Sequence, residues 1–254
     1  TDIDENGFLH VTNVGGVDRR TLPGSPVTVF GTETVTGIGC TLPPHLAKGE
    51  DCLGPDLIYL PELPFDIEAF SEKVKDLLAK KPSVVVAVSE GIRLADGRYV
   101  CELGQSVDFV DAFGHKQLSG TANYLASYIA GEFGCKTRAI ELSTLQRSAS
   151  HCASRVDILE AYQVGGAAVK AADEGDSGKM VVLQRLSDDP YQCGTEVKDV
   201  HKIANDEKVV PREWVTEDGS YVTDDFVSYV RPLIQGDVSP VMVDGIPRHL
   251  YRKN

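Results

Sequence analysis

Two arginines nine positions apart, Arg138 and Arg147, frame the stretch TRAIELSTLQRSAS at residues 137–150, with Gln146 beside the second. A guanidinium is a planar fork of N–H donors whose shape matches a phosphate or carboxylate. Glu90 closes a different apolar run, SVVVAVSE, and its carboxylate can accept hydrogen bonds from hydroxyls. An arginine beside a carboxylate at one sheet rim suits a phosphorylated sugar or polyol. Plainer readings stand next to this one. Glu90 could cap nearby backbone N–H groups, Arg147 could form an ion pair at a helix entry, and Arg138 could be structural.

The rest of the chain is acidic. It has 254 residues, with 25 Lys and Arg against 38 Asp and Glu, a formal net charge of −13. That balance speaks against nonspecific nucleic-acid binding, which needs a basic face, and against docking on an anionic membrane. No apolar run approaches the ~20 residues of a membrane span. The six cysteines, Cys40, Cys52, Cys101, Cys135, Cys152 and Cys193, contain no Cys-x-x-Cys pair, so reduced thiols in a cytoplasmic protein are expected. The six histidines are dispersed, without Ser-His-Asp or Cys-His spacing. The first residue is not Met, so the chain reads as a processed form, an internal fragment or a partial reading frame.

The elements that must position these residues follow from pattern. VTVF (27–30) reads as a buried strand. The loop after it carries Gly31, Gly37 and Gly39, a spacing that fits neither a dinucleotide fingerprint nor a P-loop. PDLIYLPE is a short strand. DIEAFSEKVKDLLAKK has apolar residues at helical spacing, Asp66 as a natural N-cap, and lysines at the C-terminal end, where the helix dipole favours them. SVVVAVSEG is apolar without alternation, the mark of a strand buried on both faces. A second helix runs through HKQLSGTANYLASYIAGEFG and ends at Gly134. KTRAIELS is the next strand. A long helix begins near Ser148 or Ser150 and stops near Gly175, and the strand GKMVVLQR follows. The order β-α-β-α-β-α-β predicts an α/β fold in three layers with a mostly parallel sheet. Residues 187–254 read as a C-terminal extension packed on the main body.

Ligands of such sheets gather outside the carboxyl ends of the strands. Glu90, Gln146 and Arg147 all lie at strand ends, and Arg147 also stands where a helix begins, a place that favours anions. Arg138 lies at the opposite end of its strand, which is about 20 Å long by its rise per residue. The two arginines therefore do not readily share one phosphate within a chain. Arg138 is either structural or faces a site on a neighbouring subunit.

Long blocks of the sequence resemble the phosphofructokinase family, in particular its bacterial branch that uses pyrophosphate or ATP. The blocks are GPDLIYLPELPFD, VVVAVSEGIR with ADGRYV, DAFGHKQLSGTA, TRAIELSTLQRSASHCASR, EGDSGKMV and SDDPYQC, and the likeness runs from about Leu46 to Asn254. The resemblance implies the Rossmann-like phosphofructokinase fold in incomplete form. It also implies phosphoryl transfer from ATP or pyrophosphate, with Mg²⁺, to the 1-hydroxyl of fructose 6-phosphate. By the family pattern, Glu90 binds the sugar. Thr144, Gln146 and Arg147 contact the 6-phosphate, with Thr144 standing where many relatives carry His or Tyr. Arg138 reaches the 6-phosphate of an adjacent subunit, so a homodimer or homotetramer is expected. The family's Gly-Gly-Asp donor loop and its Thr-Ile-Asp-Asn-Asp motif, which holds the catalytic base, are not found here, so no residue is assigned as catalytic and no side chain as a metal ligand. Residues 1–45 look unlike the family. The expected organisation is a divergent segment at 1–45, a sugar-phosphate-binding α/β domain at 46–146, a helix and strand of a partial donor domain at 147–186, and the extension at 187–254. The alternative is a non-catalytic sugar-phosphate-binding module or partner subunit.

Overall fold

The computed structural model describes residues 2–3, 9–10, 27–32, 55–104, 120–141, 153–203, 208–236, 238 and 241–248. The chain divides into two compact units, Thr1–Ser148 with Val210–Val227, and Ala149–Val209 with Ser228–Asn254. Residues 187–254, expected as one extension, are thus shared between the two.

The first unit is an α/β layer built on four parallel strands: β1 (Val27–Thr32), β2 (Leu57–Tyr59), β3 (Val84–Ser89) and β4 (Thr137–Glu141). Their order across the sheet is β2-β3-β1-β4. Every pairing among them is parallel, with Val27 opposite both Val84 and Thr137, and Leu57 opposite Val86. All six residues of β3 are buried, as its unbroken apolar run predicts. Val84, Val86 and Val88 join Leu57, Tyr59 and Phe70 in the main core.

Helix α1 (Ile67–Leu78) links β2 to β3. Asp66 caps it as expected, accepting a hydrogen bond from the Ala69 N–H at 2.9 Å. Its apolar face buries Phe70 and Val74 completely, and burying such side chains stabilises by roughly 1.5–3 kcal/mol each. Asp56 ties the starts of β2 and β3 together: one oxygen accepts from Lys81 Nζ at 2.6 Å and the other from the Val85 N–H at 2.8 Å. Helix α2 (Thr121–Phe133) precedes β4 and ends at Gly134, whose φ of 60° is the left-handed conformation that glycine adopts without Cβ strain. Residues 115–119, which the sequence pattern also places in this helix, lie outside the described residues.

The returning segment Val210–Val227 packs on this layer. The Ile58 N–H donates to the Ser220 carbonyl at 2.8 Å, and the Val210 N–H donates to Glu62 Oε1 at 3.0 Å.

The second unit holds α3 (Arg155–Asp173) and an antiparallel hairpin, β5 (Lys179–Asp188) with β6 (Tyr191–Asp199). Here the sequence reading needs correction. GKMVVLQR was expected to extend a parallel series, but it pairs antiparallel with the strand that follows it. Only Asp189 and Pro190 separate the two, and a parallel pairing would need a crossover of a dozen residues or more. The cap of α3 is Ser154, whose hydroxyl accepts from the Asp157 N–H at 3.4 Å. The start expected near Ser148 or Ser150 falls outside the described residues. The Arg185 guanidinium lies over the rings of Tyr191 and Tyr229, 4.9 and 4.4 Å from their centroids, and donates to the Tyr229 carbonyl at 2.8 Å.

The boundary between the units falls inside a short helix, α4 (Asp224–Val230), which the sequence had placed in DDFVSYVRPLI. Among the described residues, no helix is long and apolar enough to cross a membrane.

Candidate functional site

The carboxyl ends of the parallel strands form one rim. Register places Ser89 of β3 opposite Thr32 of β1, and Glu141 of β4 opposite Gly31. Glu90, the residue after Ser89, therefore stands at this rim. So does Glu141, the residue that precedes Thr144, Gln146 and Arg147 in sequence. These last three lie outside the described residues.

Glu90 is buried, with 6% of its surface exposed. Its Oε2 accepts a hydrogen bond from the backbone N–H of Thr121 at 3.2 Å. The Thr121 hydroxyl in turn donates to the Glu90 carbonyl at 3.3 Å. The carboxylate thus sits at the N-terminal end of α2, where free N–H groups and the helix dipole favour negative charge. Burial pushes its pKa up, the two Thr121 hydrogen bonds pull it down, and the Glu141 carboxylate raises it again; burial is the largest effect. Glu141 is held by Asn123, whose side-chain N–H donates to Glu141 Oε1 at 2.7 Å.

The described part of the rim therefore brings together Glu90, Thr121, Asn123 and Glu141. Sequence reasoning named only the first. Glu141 could have been found as the last residue of its strand. Thr121 and Asn123 could have been found as the first turn of a helix that opens at the same rim.

Arg138 is exposed, and register sets it opposite Thr28, four residues before Thr32, a separation of about 13 Å along the sheet. It does not join the Glu90 cluster, which matches its expected place at the far end of the strand. Among the described residues, no group of three or more His, Cys, Asp or Glu side chains is placed to hold a metal ion. Chemically, the rim offers a buried carboxylate, an amide and the end of a helix, a set that can order hydroxyl groups of a polar ligand.

Known proteins sharpen this picture. A pyrophosphate–fructose 6-phosphate 1-phosphotransferase of Halomonas elongata is 39% identical over 194 residues, which is 76% of this chain and 45% of the relative. One from Xanthomonas campestris pv. campestris is 39% identical over 202 residues, 79% of this chain and 47% of the relative. The crystal structure of the pyrophosphate-dependent phosphofructokinase of Nitrosospira multiformis superposes with a TM-score of 0.71 at 30% identity, covering 91% of this chain and 53% of that one. Over this length the chain is similar in sequence and fold to the pyrophosphate-dependent phosphofructokinases. The α/β architecture read from the sequence is theirs, and the chain spans about half the length of the relatives it matches. One finding points elsewhere. The family model for M42 glutamyl aminopeptidase matches residues 1–103. That stretch takes in the N-terminal segment whose sequence looked unlike a phosphofructokinase, together with β2, α1 and β3.

Proposed function

We propose that this chain supplies the sugar-phosphate-binding part of a pyrophosphate-dependent phosphofructokinase. The observation that carries the reading is the identity of 39% to pyrophosphate–fructose 6-phosphate 1-phosphotransferases, joined to a buried carboxylate at the rim of a parallel sheet. In the reaction those names describe, the 1-hydroxyl oxygen of fructose 6-phosphate bonds to one phosphorus of pyrophosphate. The P–O–P bridge breaks, the hydroxyl proton is released, and inorganic phosphate leaves. Such transfers depend on positioning and electrostatics more than on covalent chemistry from the protein.

In this reading, Glu90 accepts hydrogen bonds from sugar hydroxyls while Thr121 fixes its orientation. Thr144, Gln146 and Arg147 follow β4 out of the rim and hold the 6-phosphate at the entry to the next helix. Arg138, about 13 Å away along the sheet, serves the 6-phosphate of a neighbouring subunit in a homodimer or homotetramer. The sugar-binding domain corresponds to residues 46–146, 147–186 belong to the donor domain, and the setting is cytoplasmic. Pyrophosphate is the donor in preference to ATP, on the names of the relatives.

A second reading is a non-catalytic sugar-phosphate-binding module. A ³¹P NMR titration tests both. Fructose 6-phosphate should show a saturable shift or broadening that free fructose does not compete away. A resonance unchanged at millimolar protein would overturn both readings. Formation of fructose 1,6-bisphosphate on adding pyrophosphate and Mg²⁺ would select the first.

A further inference from the structure

Glu141 ends β4 and Glu90 follows β3, and these two strands flank β1. The strands that carry the two carboxylates are therefore two spacings apart, roughly 10 Å. The first turn of α2 spans this gap. Its Thr121 N–H donates to Glu90 Oε2, and two residues on, the Asn123 side chain donates to Glu141 Oε1 at 2.7 Å. The Glu141 charge reaches Glu90 and acts on it, so both carboxylates share one electrostatic neighbourhood. They differ in access. Glu90 is buried, whereas Asn123 is exposed and Glu141 is half-buried.

The Asn123–Glu141 contact is not needed to anchor α2. Ala122, Leu125 and Ile129, all fully buried, already seat that helix in the core. What the contact does is hold a donor beside an acceptor at an accessible place on the rim. The amide has two N–H groups, and Glu141 engages one of them. Among the described residues, neither Glu141 Oε2 nor the Asn123 carbonyl has a hydrogen-bond partner. A hydroxyl group both donates and accepts. It can donate to Glu141 Oε2 while it accepts from the second Asn123 N–H. A phosphate oxygen without a proton only accepts, and at this pair it would meet the Glu141 charge.

We infer that Asn123 and Glu141 bind a hydroxyl group of the sugar phosphate and so set a preference for a polyol phosphate over phosphate alone. The inference rests on the sugar-phosphate reading of the rim and adds two specificity-determining residues to it. The same carboxylate turns the phosphate end of the ligand away from α2.

The test is a pair of ³¹P NMR titrations of the full chain, one with fructose 6-phosphate and one with inorganic phosphate. Glu141→Gln keeps an oxygen for Asn123 and removes the charge. Asn123→Ala removes the amide from an exposed helical position, where alanine is a good helix former. Circular dichroism and the fluorescence of Trp214, which lies in the same unit, show whether each variant is folded. Each should weaken fructose 6-phosphate about five- to tenfold, the loss of one hydrogen bond, and should not weaken inorganic phosphate. Unchanged fructose 6-phosphate affinity in either folded variant would overturn the inference while leaving the sugar-phosphate reading in place. An equal loss for inorganic phosphate would overturn it too, because it would mark a general disturbance of the rim. A wild-type chain that does not bind fructose 6-phosphate would overturn the sugar-phosphate reading, and the inference with it.

Discussion

Replacing Glu90 by Gln separates a carboxylate that binds ligand from one that only caps α2. Gln keeps an oxygen that can accept from the Thr121 N–H, now 3.2 Å from Glu90 Oε2, and it loses the charge. Burial dominates the pKa of Glu90 and raises it. A carboxyl with a raised folded-state pKa adds stability that is fully present below its unfolded pKa and is lost as pH rises through the folded one. Wild type should therefore lose stability relative to Glu90→Gln as pH is taken from 4 upward through the raised pKa. The protein's single Trp, Trp214, lies in the same unit and reports its unfolding by fluorescence. Ligand binding should respond in the opposite sense. A hydrogen bond to a charged acceptor contributes about 1.5–3 kcal/mol, so its loss should weaken fructose 6-phosphate about tenfold or more. A folded Glu90→Gln chain with the predicted pH behaviour and unchanged affinity would refute the binding role and leave only the cap. Parallel pH profiles for the two proteins would refute the burial argument itself.

Three further outcomes follow from the geometry. Asp66→Ala removes the α1 cap and should cost about 1 kcal/mol in denaturant unfolding of the first unit, without changing the slope. Asp218 is held well below the usual aspartate range by hydrogen bonds from Lys73 first and Thr216 next. Its contribution is present above the ordinary aspartate pKa and is lost as pH falls. Asp218→Asn should therefore flatten the acid limb of the stability profile below about pH 4, and an unchanged limb would contradict this. Arg138→Ala should weaken fructose 6-phosphate only in an associated sample. Weakening in a monomeric sample, checked by sedimentation, would contradict the assignment across subunits.

Much of the architecture could be read from local pattern. Asp66 sits one residue before a helical period, and its side chain caps the helix. The unbroken run at Val84–Ser89 announces a strand buried on both faces, and Gly134 marks where α2 must stop. What could not be read is what depends on distant partners. The periodicity of GKMVVLQR says strand but not which strand it pairs with, and its partner β6 carries a mixed pattern. Several serines precede α3, and only backbone geometry makes Ser154 the cap. The Lys73–Asp218 pair joins residues 145 positions apart. At the rim, Glu90 was legible because a carboxylate ending an apolar strand is conspicuous. Its partner Thr121 looks like any helix-start threonine until β3 and α2 are set side by side. Arg138 was legible as remote because strand rise alone separates the two ends. The roles of Thr144, Gln146 and Arg147 rest on the family motif.

The central claim is that this chain carries the 6-phosphate contact of a phosphofructokinase. It is tested most directly by calorimetric titration of fructose 6-phosphate into wild type and Arg147→Ala, with circular dichroism showing that both are folded. Losing one charge-assisted contact should cost about 1.5–3 kcal/mol, a tenfold or greater loss of affinity. Equal affinity in the two proteins, or no binding by folded wild type, would contradict the account.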